Sequence, residues 1–78
     1  MKLSKAQRAV LVRMAEGVLL LENTFRWRYH LVRSGRVAES TFNVLKRNAW
    51  IERIERESMF NHNNHYTITA AGLAALEE

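Results

Sequence analysis

Ser40, Asn43 and Arg47 stand at i, i+3 and i+7, a spacing that on a helix lines up a hydroxyl, an amide and a guanidinium along one edge. These side chains reach phosphate oxygens, adenine edges and guanine edges when a helix lies in the major groove of a DNA duplex. Glu39 and Lys46 flank the edge. The surrounding chain is basic. Between Arg26 and Arg47 there are six cationic residues (Arg26, Arg28, Arg33, Arg36, Lys46 and Arg47) and one acid, Glu39, in a protein whose net charge is +4. A cluster of this kind attracts polyanions, nucleic acid first, by phosphate neutralisation and release of counterions. Arg26, Arg28, Arg33 and Arg36 are expected to contact the nucleic-acid backbone if they share the face of Ser40, Asn43, Lys46 and Arg47.

Other chemistry is poorly supplied. All eight acids are Glu, Cys is absent, and no Gly-rich phosphate loop or activated Ser–His pairing occurs, so no catalytic residue and no cofactor are expected. His62 and His65 have an H-x-x-H spacing, but two imidazoles without a carboxylate or thiolate beside them make an incomplete metal site. No metal is expected. Met59 and Phe60, apolar groups in a polar stretch, either tuck against the hairpin or anchor a contact with another protein. Protonation of the His pair below about pH 6.5 would add charge to this stretch.

The elements that must position these groups fit one domain spanning residues 1–78, with no Pro and no disulfide. A chain this short buries about 60% of the surface its unfolded form exposes, which leaves little volume for a catalytic pocket. No run approaches the ~20 apolar residues of a membrane span, and a cytoplasmic protein without a membrane partner is expected. Ser4 and Gln7 form a capping box; Leu3, Gln7, Val10, Leu11 and Met14 then share a helix face, with Lys5, Arg8, Arg13 and Glu16 opposite and Gly17 placed to end the helix. After Gly17 the period changes to 2. Phe25, Trp27 and Tyr29 alternate with Arg26, Arg28 and His30, so a hairpin pairs Val18 to Glu22 with Phe25 to Val32 around a turn at Asn23-Thr24. The rings are expected to cover the core rather than stack bases, leaving the cationic side exposed.

Arg33-Ser34-Gly35 turns the chain into a second helix. Ala38, Phe42, Leu45 and Ala49 share its inner side, with Thr41 beside them. Ala38 stands where such a helix commonly opens on Ser or Thr, so a start nearer Ser40 is also open. Ile51 to Glu57 reads as a strand, Ser58 to Asn64 as a polar loop turning at Asn61 to Asn64, and Tyr66 to Thr69 as a returning strand. Thr69 can cap a short last helix, Ala70 to Leu76, that docks through Leu73 and Leu76.

This order resembles the winged helix-turn-helix fold. The likeness is carried by Leu3-Ser4 with Gln7 opening the first helix, Thr41 with Leu45 in the recognition-helix position, Trp50-Ile51 leading into the wing, and Tyr66-Thr67-Ile68-Thr69 followed by Gly72. The last, Y-x-x-T-x-x-G, is similar to the wing strand and following turn of MarR-like and PadR-like transcriptional regulators. Nearly the whole chain resembles the small stand-alone winged-helix proteins of bacterial and prophage genomes, in which a hairpin takes the place of a second helix. The resemblance implies an α+β winged helix with an extra β-hairpin between the first helix and the recognition helix, and double-stranded DNA binding in transcription regulation. Ser40, Asn43, Lys46 and Arg47 would be the recognition-helix contacts, and Ser58 to Asn64 the wing tip. A lone reader of this size covers only about 600 to 1,000 Å² of its own surface on DNA, so a homodimer joined through the first and last helices is expected. The alternative is a protein-binding winged helix, such as a phage- or prophage-encoded inhibitor of a host nucleic-acid-handling complex. Its basic face would meet an acidic surface of a host protein partner, with Met59 and Phe60 as anchors.

Overall fold

The chain begins its regular structure where a side chain can satisfy orphan backbone groups. Ser4 Oγ accepts from the Gln7 N–H at 3.1 Å and Gln7 Oε1 accepts from the Ser4 N–H at 3.0 Å, closing the capping box in front of helix α1 (Lys5–Ala15). The computed structural model describes residues 3–23, 28–32, 35–54 and 63–77. At the other end of α1, Gly17 adopts φ +100°, its N–H donates to Met14 O and that of Val18 to Arg13 O, the paired bonds of a Schellman motif.

Three strands, β1 (Leu20–Asn23), β2 (Arg28–Leu31) and β3 (Gly35–Val37), lead to the second helix, α2 (Glu39–Arg47). β4 (Ile51–Ile54), β5 (Asn63–Ile68) and α3 (Ala70–Leu76) complete the fold. The five strands form one antiparallel sheet in the order β3-β2-β1-β5-β4. The protein is therefore α+β, with three helices among the described residues.

One sheet face is apolar because the period-2 pattern puts Leu20, Tyr29, Leu31, Val37, Tyr66 and Ile51 on it. Leu11 of α1 and Phe42 and Leu45 of α2 close over that face and are almost fully buried. Phe42 joins helix to sheet: its ring stacks on Tyr29 at 4.2 Å and meets Tyr66 edge-on at 5.1 Å. Glu22 shares this inner face. It is buried, and its Oε1 accepts from Asn64 Nδ2 at 2.9 Å and from the Tyr66 hydroxyl at 3.2 Å, so the carboxylate enters the core with partners.

The Y-x-x-T-x-x-G stretch ties the end of α2 to α3. Tyr66 holds Glu22. Thr69 Oγ1 accepts from the Gly72 N–H at 3.1 Å, capping α3, and donates to Ala49 O at 2.6 Å. Gly72 lies against the Trp50 carbonyl, where an added Cβ would collide with that oxygen and come within 2.7 Å of Ile68 Cγ1. The helix meets the strand lead closely only because this residue has no side chain.

Several expectations change. Asn23 does not turn the first hairpin; it pairs with Arg28, so the connection is residues 24–27, outside the described residues. Gly35 to Val37 is not merely a way out of a turn but a third strand on β2. Asn63 and Asn64 belong to β5, where the ladder to β1 outweighs their turn preference. The strand expected to run to Glu57 is described only as far as Ile54. Ala38 and Ala49 are exposed rather than core, because they lie just beyond the helical residues at each end of α2. Of the expected pair only Leu76 docks, together with Gly72 and Ala75, while Leu73 is 46% exposed. Arg8 is half-buried, its Nη1 donating to Leu76 O at 3.1 Å, so α1 and α3 are joined by a side chain read as solvated.

Candidate nucleic-acid interface

α2 is amphipathic in the sense that matters for a reading helix. Thr41, Phe42 and Leu45 are buried, while Ser40, Asn43, Lys46 and Arg47 are exposed on its outer side. The helix starts at Glu39 with Ala38 in the cap position, and no side chain caps it. Glu39 in the first turn and Lys46 and Arg47 in the last complement the helix dipole. Lys46 Nζ lies 5.9 Å from the centre of the Phe42 ring, so its stem runs over the core edge with the ammonium at the rim. Among the described residues no carboxylate pairs with Lys46 or Arg47, and their charge is available to an external anion.

The end of α2 is set by a second Schellman motif: the Ala49 N–H donates to Lys46 O and that of Trp50 to Leu45 O, both at 3.1 Å. Ala49 takes φ +57°, the left-handed region where glycine is usual. Its carbonyl is held by Thr69 and the Trp50 carbonyl accepts from the Thr69 N–H at 2.9 Å, so the pose of α2 on the sheet is fixed from the α3 side.

The fold does not gather all the expected cations on one side. Tyr29 faces α2, and strand alternation turns its neighbours Arg28 and His30 to the opposite face of the sheet. Arg36 pairs with His30 in the register and shares that face. Arg28 and Arg36 therefore do not share the side of Ser40, Asn43, Lys46 and Arg47, and the condition for their joining the same nucleic-acid contact is not met. Arg26, Arg33, His62, Met59 and Phe60 lie outside the described residues. His30 and His65, far apart in the chain, become neighbours of Leu21 on that outer face. The strand parity of His30 was readable in the sequence, but its company was not.

A groove of about 410 Å³ separates α1 from β3 and the start of α2, lined by Ala6, Ala9, Val10, Thr41 and the edge strand Gly35–Val37, with Arg13 at its rim. Between the two helices the described residues form β1, β2 and β3, and no helix among them fills this space. Burial pushes the Tyr66 phenol up to about 12, helped by the charge and hydrogen bond of Glu22; burial also raises Tyr29, with Glu22 and Glu39 adding to the effect. The Tyr66 phenol thus stays a neutral donor to Glu22 beneath α2.

No family model, no curated protein and no solved structure matches the chain significantly. No helix among the described residues is long and apolar enough to cross a membrane.

Proposed function

We propose that this chain is a winged-helix protein that binds double-stranded DNA and regulates transcription, with α2 presented to the major groove. The element order supports the reading. β1, β5 and β4 make a three-stranded unit with β5 in the middle, β4–β5 stands in the position of a wing, and α2 directly precedes it. The hairpin β2–β3 replaces the second helix of a helix-turn-helix, which accounts for the groove beside α1.

The observation that carries the reading is the division of α2, which buries Thr41, Phe42 and Leu45 and leaves Ser40, Asn43, Lys46 and Arg47 outward with no carboxylate partner among the described residues. In this reading Ser40 and Lys46 bind phosphates and orient the helix, and Asn43 and Arg47 read base edges. Two copies bind a two-fold site. Val12 and Leu73, 40% and 46% exposed on α1 and α3, supply apolar surface for that pairing.

A mobility shift on mixed genomic fragments at 50 and 200 mM salt tests the reading. Binding that weakens steeply with salt is expected, as is loss of sequence preference in Asn43→Ala/Arg47→Ala. Binding that ignores salt, or a double variant with the preference of the parent, would overturn it.

A further inference from the structure

The side of the sheet turned away from the helices carries a second basic surface. Cross-strand register builds one row over all five strands: Arg36 beside His30, His30 beside Leu21, Leu21 beside His65 and His65 beside Ile54. Arg28 lies one row further along β2, beside Asn23. Arg28 and Arg36 are exposed, and among the described residues neither is in an ion pair. The one described carboxylate on this face is Glu52, on β4 at the far edge and opposite Thr67. The rings of Tyr29 and Tyr66 face the helix side, so among the described residues this surface offers cations and imidazoles rather than large exposed rings.

We infer that this face holds the phosphate backbone of a second DNA duplex, so that the protein bridges two duplexes, one at α2 and one at the outer face of the sheet. The inference rests on the reading of α2 as the DNA-contacting helix. A single duplex does not serve both surfaces. The molecule is only about 22 and 21 Å across its shorter axes, and the two surfaces lie on opposite sides of the sheet. Bending a site of 20 to 30 base pairs by only 40 to 90° already costs on the order of 1 to 6 kcal/mol, and reaching the far side requires nearly a full reversal. Contact through Arg28 and Arg36 is of the positioning kind, without sequence preference, because a five-stranded sheet is too broad to enter a groove and meets the phosphates at its rim. A duplex is favoured over a single strand because single-strand platforms stack bases on exposed aromatic rings, and the described tyrosines point inward.

The test is a capture experiment with the whole chain. A biotinylated duplex on beads is loaded with protein, and a fluorescent second duplex or a fluorescent single strand is added; the label retained is measured beside a mobility shift on one duplex. The parent protein should retain the second duplex. Arg28→Ala/Arg36→Ala should keep the one-duplex shift and its thermal melt while retention falls about tenfold, as expected when two phosphate contacts are lost. Retention unchanged in that variant would assign bridging to two copies of α2 and overturn the inference. A one-duplex shift weakened as much as retention would place both arginines on the first duplex and overturn it too, and so would retention of the single strand instead of the duplex. Parent protein that binds one duplex but retains no second one refutes bridging and leaves the α2 reading standing, whereas protein that binds no duplex refutes both.

Discussion

Replacing Ala49 by Gly is expected to stabilise the protein. Ala49 occupies the left-handed position of the Schellman motif that ends α2, at φ +57°, where an L-residue costs about 1 to 2 kcal/mol. Glycine removes that cost but gives the unfolded chain extra freedom worth about 0.4 to 1 kcal/mol. The balance is about 0.5 to 1 kcal/mol in favour of the variant. In a domain of this size that raises Tm by roughly 2 to 8 °C. Ala49 is exposed, and the hydrogen bond from Thr69 goes to its backbone carbonyl, so truncation removes neither a packed side chain nor a partner. The first helix supplies the mirror experiment. Gly17 fills the same position at φ +100°, with nothing within 4 Å of an added Cβ, so Gly17→Ala meets only the backbone term and should lower stability by a similar amount. Thermal and urea unfolding followed by circular dichroism measure both. If Ala49→Gly leaves the midpoint unchanged or lowers it while Gly17→Ala behaves as stated, the strained turn between α2 and β4 is wrongly described.

Three further outcomes follow from the packing and the charge. Gly72→Ala should destabilise by about 1 to 3 kcal/mol in the same unfolding assay, because its methyl would collide with the Trp50 carbonyl and crowd Ile68. Tyr66 has its phenol pushed up to about 12 from 10.0, so above pH 10 the unfolded chain releases a proton that the folded chain retains. Stability should be fully present below pH 10 and fall as the pH rises towards 12; Tyr66→Phe should flatten that decline, and Tyr29, raised in the same direction, should keep part of it. Lys46→Ala should reduce the slope of log affinity against log salt by about 0.9 in a fluorescence-anisotropy titration with duplex DNA, with little change in sequence preference.

What could be read from the residues was mostly local. A capping box needs only Ser4 and Gln7, an α3 cap only Thr69, and the buried and exposed sides of α2 follow from a 3.6-residue period, so these needed no knowledge of distant contacts. Long-range pairing was less accessible. Asn63 and Asn64 favour turns by themselves, yet the ladder to Glu22 and Asn23 draws them into β5, and the same ladder gives the Glu22 carboxylate its partners. Arg8 reads as a solvated cation until the last helix arrives with a free carbonyl at Leu76. The candidate site shows the same division. The outward stripe of α2 was readable along the chain, whereas the separation of Arg28 and Arg36 from it depends on which sheet face receives Phe42. Charge density in a sequence does not specify a side of the molecule.

The reading of α2 meets its most direct test in amide chemical shifts recorded during titration of the labelled protein with a short duplex selected from bound genomic fragments. The largest changes should fall on Ser40, Asn43, Lys46 and Arg47 and fade as salt is raised. Changes centred on α1 and α3 with these four residues unmoved would contradict the account.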